Sequence, residues 1–213
     1  MVDEIVELIN FIGKAHEKFS NTFFMTHASM NLKRTTIKNI IIENTYDSTF
    51  QTLLDNYIEE LSLFLIFNTF DSKHPFIETR FRGKTKESVL NKIYHYRFGK
   101  QKGEIPIQKT LNDLLGFRLI LNSTQEYQNL LEELKTSNKI KVKLFRPYFR
   151  ADEGYRAIHL YFKSGNNNYF PWELQIWNKI DEKSNEYSHR YHKAKRQYMN
   201  WTKIYKKNKH REE

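Results

Sequence analysis

The sequence predicts a mixed α/β (α+β) fold: a mixed β-sheet flanked by helices, with N-terminal helices and a long basic C-terminal helix. Three observations carry this prediction. Ala157, His159 and Tyr161 alternate with Ile158, Leu160 and Phe162, and Trp172, Leu174 and Ile176 alternate with Glu173, Gln175 and Trp177, so both segments have the period-two pattern of strands. Gly165, Asn166, Asn167 and Asn168 between them form a turn signal, which predicts a hairpin. Phe50, Leu53, Leu54, Tyr57, Ile58, Leu61 and Phe64, by contrast, have helix spacing.

Taken in order, residues 2–19 place Ile5, Leu8, Ile9 and Ile12 on one stripe and read as an amphipathic helix, followed by a polar, poorly patterned stretch over 20–46. Asp47 is the expected N-cap of a helix running to about residue 70. Residues 1–70 thus read as a helical support. Residues 76–81 read as a short strand, and Glu87, Val89, Leu90 and Ile93 suit a helix beginning near Thr85. Residues 108–115 read as a short helix stopped at Gly116, and 117–121 as a buried strand. Then come a helix over 126–134, a strand over 141–149, a loop over 150–154, the hairpin, and a final helix from 178 to about 207. No repeat, low-complexity segment or linker divides the chain. One domain over 1–213 is expected, with its chemistry in about 76–195 and a basic helix over 178–211.

The 213 residues hold no cysteine, which excludes a disulfide framework, a thiolate nucleophile and a thiolate metal site. No signal-peptide order opens the chain and the longest purely apolar run covers only residues 63–67, so a soluble, cytoplasmic protein is expected. The net charge is +10, and its excess is concentrated: residues 189–211 hold nine Lys or Arg and no acid, interleaved with Tyr191, Tyr198, Trp201 and Tyr205. Such a face attracts a polyanion and offers rings on which bases stack, although a solvated helix packing its aromatics inward has the same pattern. His189 and His192 have helical i, i+3 spacing without a third ligand and are not read as a metal site.

Alternation places Glu173 and Gln175 on one strand face, opposite Leu174 and Ile176. A carboxylate and a carboxamide are costly to bury without partners, which makes them site candidates; the bland reading is the wet face of an antiparallel sheet. Arg82 and Lys84 precede the helix near Thr85, on which Ser88 and Lys92 lie one turn apart, so guanidinium, ammonium, hydroxyl and free helix amides converge as a phosphate chain requires. Most basic helix starts are ordinary surface, and no Walker A loop is present. Asp113 and Arg118 flank Gly116; this suits a helix stop, yet Asp is also a preferred donor for a hard cation, and Asp113 with Glu173 would supply a carboxylate pair for Mg²⁺.

Together, Arg82-x-Lys84-x-x-x-Ser88-x-x-x-Lys92, Asp113-x-x-Gly116-x-Arg118, Gly154-Tyr155-Arg156-Ala157-Ile158-His159 and Glu173-Leu174-Gln175-Ile176 resemble the synthetase domain of the RelA/SpoT family. The resemblance implies a nucleotidyltransferase-like mixed sheet and transfer of the β,γ-pyrophosphate of ATP to a ribose 3′-hydroxyl. It implies that ATP's adenine lies between Arg82 and Arg118, with its phosphates on Lys84, Ser88 and Lys92. Asp113 and Glu173 would be catalytic and hold Mg²⁺, Glu173 as ligand or general base. Tyr155 would stack on the acceptor base, with His159 and Gln175 lining the same pocket. Many members carry Arg where this chain has Trp177, which removes a cation from the acceptor side. The chain looks most like the toxic small alarmone synthetases, whose acceptor is the 3′-terminal adenosine of tRNA. That likeness implies an antitoxin partner and block of aminoacylation, and makes Lys193, Lys195, Arg196, Lys203, Lys206 and Lys207 candidate tRNA contacts. The alternatives are an alarmone synthetase acting on a free guanine or adenine nucleotide, and a catalytically idle RNA-binding module, against which intact Asp113 and Glu173 speak.

Overall fold

Five strands form one sheet in the order β3-β4-β7-β6-β5, with β4 and β7 parallel and every other pair antiparallel. They are β3 (Ile77–Gly83), β4 (Leu115–Leu121), β5 (Lys143–Asp152), β6 (Tyr155–Lys163) and β7 (Trp172–Asn178). Two-residue strands β1 (Ile41–Ile42) and β2 (Thr45–Tyr46) pair separately. The helices are α1 (Val2–Thr26), α2 (Ser48–Phe67), α3 (Lys86–Phe98), the single turn α4 (Ile107–Thr110), α5 (Tyr127–Thr136) and α6 (Glu182–Lys195). This computed structural model describes residues 1–42, 45–70, 74–99 and 101–195, apart from the side chains of 42 and 192–195. Among the described residues, no helix is long and apolar enough to cross a membrane.

One face of the sheet carries the core. Phe117 and Leu119 of β4, Trp172, Leu174 and Ile176 of β7, and Ile158, Leu160 and Phe162 of β6 pack with α1, α2, α3 and α5 into one cluster. Aromatic contacts join the layers: Tyr57 of α2 meets Phe170 at 4.6 Å, and Phe70 meets Phe117 at 5.0 Å. The predicted N-cap is in place, Asp47 accepting from the Phe50 amide at 2.8 Å, and the helix expected to begin near Thr85 is capped by that residue, which accepts from the Ser88 amide at 3.4 Å. The expected hairpin is β6 and β7, with Leu160 opposite Leu174.

Three segments differ from expectation. Helix α1 continues past Phe19 to Thr26, because Phe19 and Phe23 extend its buried stripe through the polar residues between them. The helix expected to end at Gly116 is a single turn, and Leu115 and Gly116 belong to β4. That strand is central and buried on both faces, so the run from Leu114 to Leu121 has no alternation to announce it. The loop expected at 150–154 is a hairpin in which Asp152 pairs with Tyr155 across Glu153 and Gly154. Both turn residues have positive φ, 46° and 80°, as a two-residue hairpin turn of this hand requires.

His16 of α1 is buried near Trp172, with no hydrogen-bond partner for Nε2, and burial pulls its pKa down to about 4. The unfolded chain therefore binds this proton more readily than the folded one. Stability of about 3 kcal/mol is present above pH 6.5 and is lost as the pH falls through about 4. Urea unfolding at pH 7.5 and 5 should show a smaller loss of stability for His16→Phe than for wild type; parallel losses would show that His16 is not the titrating group.

Candidate active site

The opposite face of the sheet gathers the candidates. Register places Arg82, Gly116, Glu173 and Tyr161 in one row across β3, β4, β7 and β6, and Arg80, Arg118, Gln175 and His159 in the next. Lys84 follows the end of β3 and Asp113 precedes β4; the Lys84 amide donates to the Leu114 carbonyl at 2.8 Å, which brings the two side chains together. Sheet pairing, more than sequence distance, thus assembles residues that lie as far apart as 82 and 175.

Asp113 is clasped by two lysines. Its carboxylate accepts from Lys84, and from Lys92 of α3 at 2.9 Å, while Lys92 also reaches Asn112 at 3.3 Å. Burial would raise the Asp113 pKa, but Lys92 and Lys84 outweigh it and hold the carboxyl far below the usual range. Lys84 is itself pulled down, by burial first, which the Asp113 charge opposes. Ser88 stands at the start of α3, its hydroxyl accepting from Thr85 at 3.0 Å, and Arg82 is exposed at the end of β3. The cationic side of the site is therefore a cradle with one internal anion.

Glu173 has different surroundings. It is 5% exposed, so it does not belong to a wet face, and every donor it needs is supplied by the sheet. His159 Nδ1 lies 2.9 Å and the Tyr161 hydroxyl 2.7 Å from Oε1, and Gln175 Nε2 donates to Oε2 at 3.2 Å. Burial would raise this carboxyl; the hydrogen bond from His159 leads the effects that lower it instead, and the group stays ionised at neutral pH. The Tyr155 hydroxyl continues the chain, 3.0 Å from His159 Nε2 and 3.5 Å from Gln175 Oε1. Tyr155 itself is 2% exposed, with the Arg150 guanidinium 5.1 Å from its ring centre and Trp177 and His189 edge-on.

Arg118 lies over Trp177, its guanidinium carbon 3.5 Å from the ring centre, and bonds Glu186 of α6 at 2.9 Å. Trp177 thus gives the Arg118 guanidinium an aromatic shelf. Helix α6 walls this end: Glu182 and Glu186 pair with Arg80, Asn185 accepts from the Arg156 amide at 2.8 Å, and His189 lies along Trp177 at 5.7 Å. Among the described residues, no group of three or more His, Asp or Glu could hold a metal ion by itself.

Sequence reasoning missed Tyr161 as a donor to Glu173, Tyr148 and Arg146 beside it, and Glu186 on Arg118. The alternation of Arg146, Tyr148 and Arg150 was visible, but which face they share follows only from pairing with Tyr161, His159 and Ala157. Lys193 and Lys195 fall in the backbone of α6 with side chains outside the described residues; Arg196, Lys203, Lys206 and Lys207 lie outside them altogether.

The family profile described as "Region found in RelA / SpoT proteins" matches residues 81–198. No curated protein sequence matches. Among solved structures, the chain is similar to small alarmone synthetase 1 from Bacillus subtilis, at 21% identity over 70% of this chain and 82% of that one, with a TM-score of 0.41. The same enzyme bound to AMPCPP gives 17% identity over 74% and 90%, with a TM-score of 0.32. The profile spans more than half of the chain and encloses every motif residue from Arg82 to Gln175, and the chain belongs to the RelA/SpoT family.

Proposed function

We propose that the chain transfers the β,γ-pyrophosphate of ATP to the 3′-hydroxyl of the 3′-terminal adenosine of tRNA, and that it acts as the toxin of a toxin–antitoxin pair by blocking aminoacylation. The observation that carries the chemistry is a pair of carboxylates with opposite surroundings: half-buried Asp113, just before β4, held by two lysines, and buried Glu173, on β7, held by His159, Tyr161 and Gln175. Family membership supports ATP as donor. The basic residues of 189–211 support a polyanionic acceptor.

In this reading, Lys84, Ser88 and Lys92 bind the phosphates at the start of α3, and the adenine lies between Arg82 and Arg118. The acceptor hydroxyl gives its proton to Glu173 as its oxygen bonds to the β-phosphorus and the bond between that phosphorus and the oxygen bridging it to the α-phosphorus breaks, and AMP leaves. Little covalent work falls to the protein; it positions the hydroxyl in line and neutralises charge. Mg²⁺ is held by one or two carboxylates plus substrate phosphates, and Asp113 with Glu173 fits that donor set; when bound it would supply charge neutralisation at the transferred group. Ionised Glu173, on the acceptor side with His159, Gln175 and Tyr155, orients the attacking hydroxyl.

Incubating the protein with γ-³²P-ATP and either total tRNA or GDP, GTP and AMP tests the reading. Label is expected on the tRNA 3′ end; label on a free nucleotide alone would establish an alarmone synthetase instead. Strong induction of soluble wild-type protein should arrest bacterial translation and growth, whereas unimpaired growth counts against a toxin. Trp177→Leu removes the shelf beneath Arg118, and a desolvated cation–π contact of about 2 kcal/mol predicts a rise in the KM for ATP of roughly 10- to 30-fold with kcat little changed. Trp177→Phe should recover most of it; equal KM values in wild type and Trp177→Leu would remove Arg118 from the adenine.

A further inference from the structure

A second basic surface lies at the β5–β6 edge of the catalytic face. Lys143 and Lys163 stand directly opposite each other in the antiparallel pair. Lys163 is two residues beyond Tyr161 on β6, so both lysines share the face of Tyr161 and Glu173. Like charges in that position weaken a sheet, and the fold keeps them all the same. Lys33 joins them on a loop tied to the β6–β7 connection, the Leu32 amide donating to the Asn167 carbonyl at 3.0 Å and Asn168 to Ser29 at 3.3 Å. Burial, then Lys143 and Lys33, hold the Lys163 ammonium below its ordinary pKa.

Arg146 extends this surface towards the site. A β-bulge between Leu144 and Arg146 sets Arg146 opposite Tyr161, with its guanidinium 5.7 Å from that ring, whose hydroxyl bonds Glu173. Among the described residues, none of these four cations forms an ion pair, whereas Lys84, Lys92, Arg80 and Arg118 all do. Lys33, Lys143 and Arg146 are exposed, and Lys163 is half-buried with its ammonium 5.2 Å from the Phe145 ring. Four cations that repel one another and are left unneutralised by the protein are relieved by a polyanion.

We propose that Lys33, Lys143, Lys163 and Arg146 contact the phosphates of the RNA strand whose 3′ end enters the pocket at Glu173. This inference rests on the tRNA reading of the acceptor. A free nucleotide seated at Glu173 has no backbone to carry on along this edge to Lys33, so the surface distinguishes a chain end from a mononucleotide.

The test is charge reversal, Lys33→Glu with Lys143→Glu and Lys163→Glu, with binding of a non-hydrolysable ATP analogue confirming an intact fold. Affinity for total tRNA at about 0.1 M salt should fall at least about tenfold, and the slope of log affinity against log salt should flatten by roughly 2, from about 0.7 to 0.9 per lost contact. Transfer to a short oligonucleotide ending in adenosine, too short to follow the edge, should stay within about twofold of wild type. A neutral pair, Lys143→Gln with Lys163→Gln, relieves the repulsion and should melt no lower than wild type while flattening the slope by roughly 1 to 2, which keeps the test decisive if the triple variant folds poorly. Unchanged tRNA affinity and slope in a folded variant would overturn the proposal while leaving the tRNA reading standing. Wild-type protein that labels free nucleotides and never tRNA would instead overturn the reading beneath it.

Discussion

Glu173→Gln is expected to lower the rate of transfer at least about 100-fold while binding of an ATP analogue stays within a few-fold of wild type. The change keeps the volume of a side chain that is 5% exposed, but it removes the charge and one of the two acceptor oxygens. Oε1 takes the Tyr161 hydroxyl at 2.7 Å and faces His159 Nδ1 at 2.9 Å, while Oε2 takes Gln175 at 3.2 Å. An amide NH₂ in either place sets a donor against an existing donor, and the network must break one bond to hold it. Loss of an electrostatic group of this kind costs on the order of 10²- to 10³-fold in kcat. Tyr161→Phe removes a single donor and leaves the carboxylate ionised, so its loss should be smaller, about tenfold. Initial rates with saturating ATP decide the matter: a Glu173→Gln rate within threefold of wild type would take Glu173 out of the chemistry.

The elements that alternate, or that carry a cap, were legible in the sequence. The hairpin of β6 and β7, the helix capped by Asp47 and the helix beginning near Thr85 follow from local rules, and the structure has all three. The start of β4 was not legible, because a central strand covered on both faces has a continuous apolar run, and the Gly within it reads as a stop. The site divides along the same line. Glu173 and Gln175 stood out because polar groups on an apolar strand ask for an explanation, and their burial supplies one: they are partners in a closed network with His159, Tyr161 and Tyr155. Glu186 on Arg118 and Tyr161 on Glu173 depend on how α6 and β6 sit against β4 and β7, and no spacing within one element encodes that. Trp177 was legible only as a missing cation; the stacking of Arg118 upon it is a property of the assembled face.

Asp113→Asn should abolish transfer as thoroughly as the change at Glu173, by roughly 100-fold or more, yet its effect on nucleotide binding should have the opposite sign from a simple loss. In the structure Lys84 and Lys92 both spend their charge on Asp113. Phosphates arriving at the start of α3 compete with that carboxylate for the same two ammonium groups, so without divalent cation the asparagine variant should bind an ATP analogue as tightly as wild type or tighter. The variant should also be less stable, because it leaves half-buried Lys84, already pulled down by burial, without its counter-charge. Adding Lys84→Met to Asp113→Asn removes the stranded charge and should restore much of the melting temperature without restoring transfer. That separation of stability from rate is the discriminating result. If the double variant regained activity along with its stability, Asp113 would be a structural counter-ion for Lys84; if the single variant lost ATP affinity in proportion to its rate, the phosphates and the carboxylate would not be sharing the lysines.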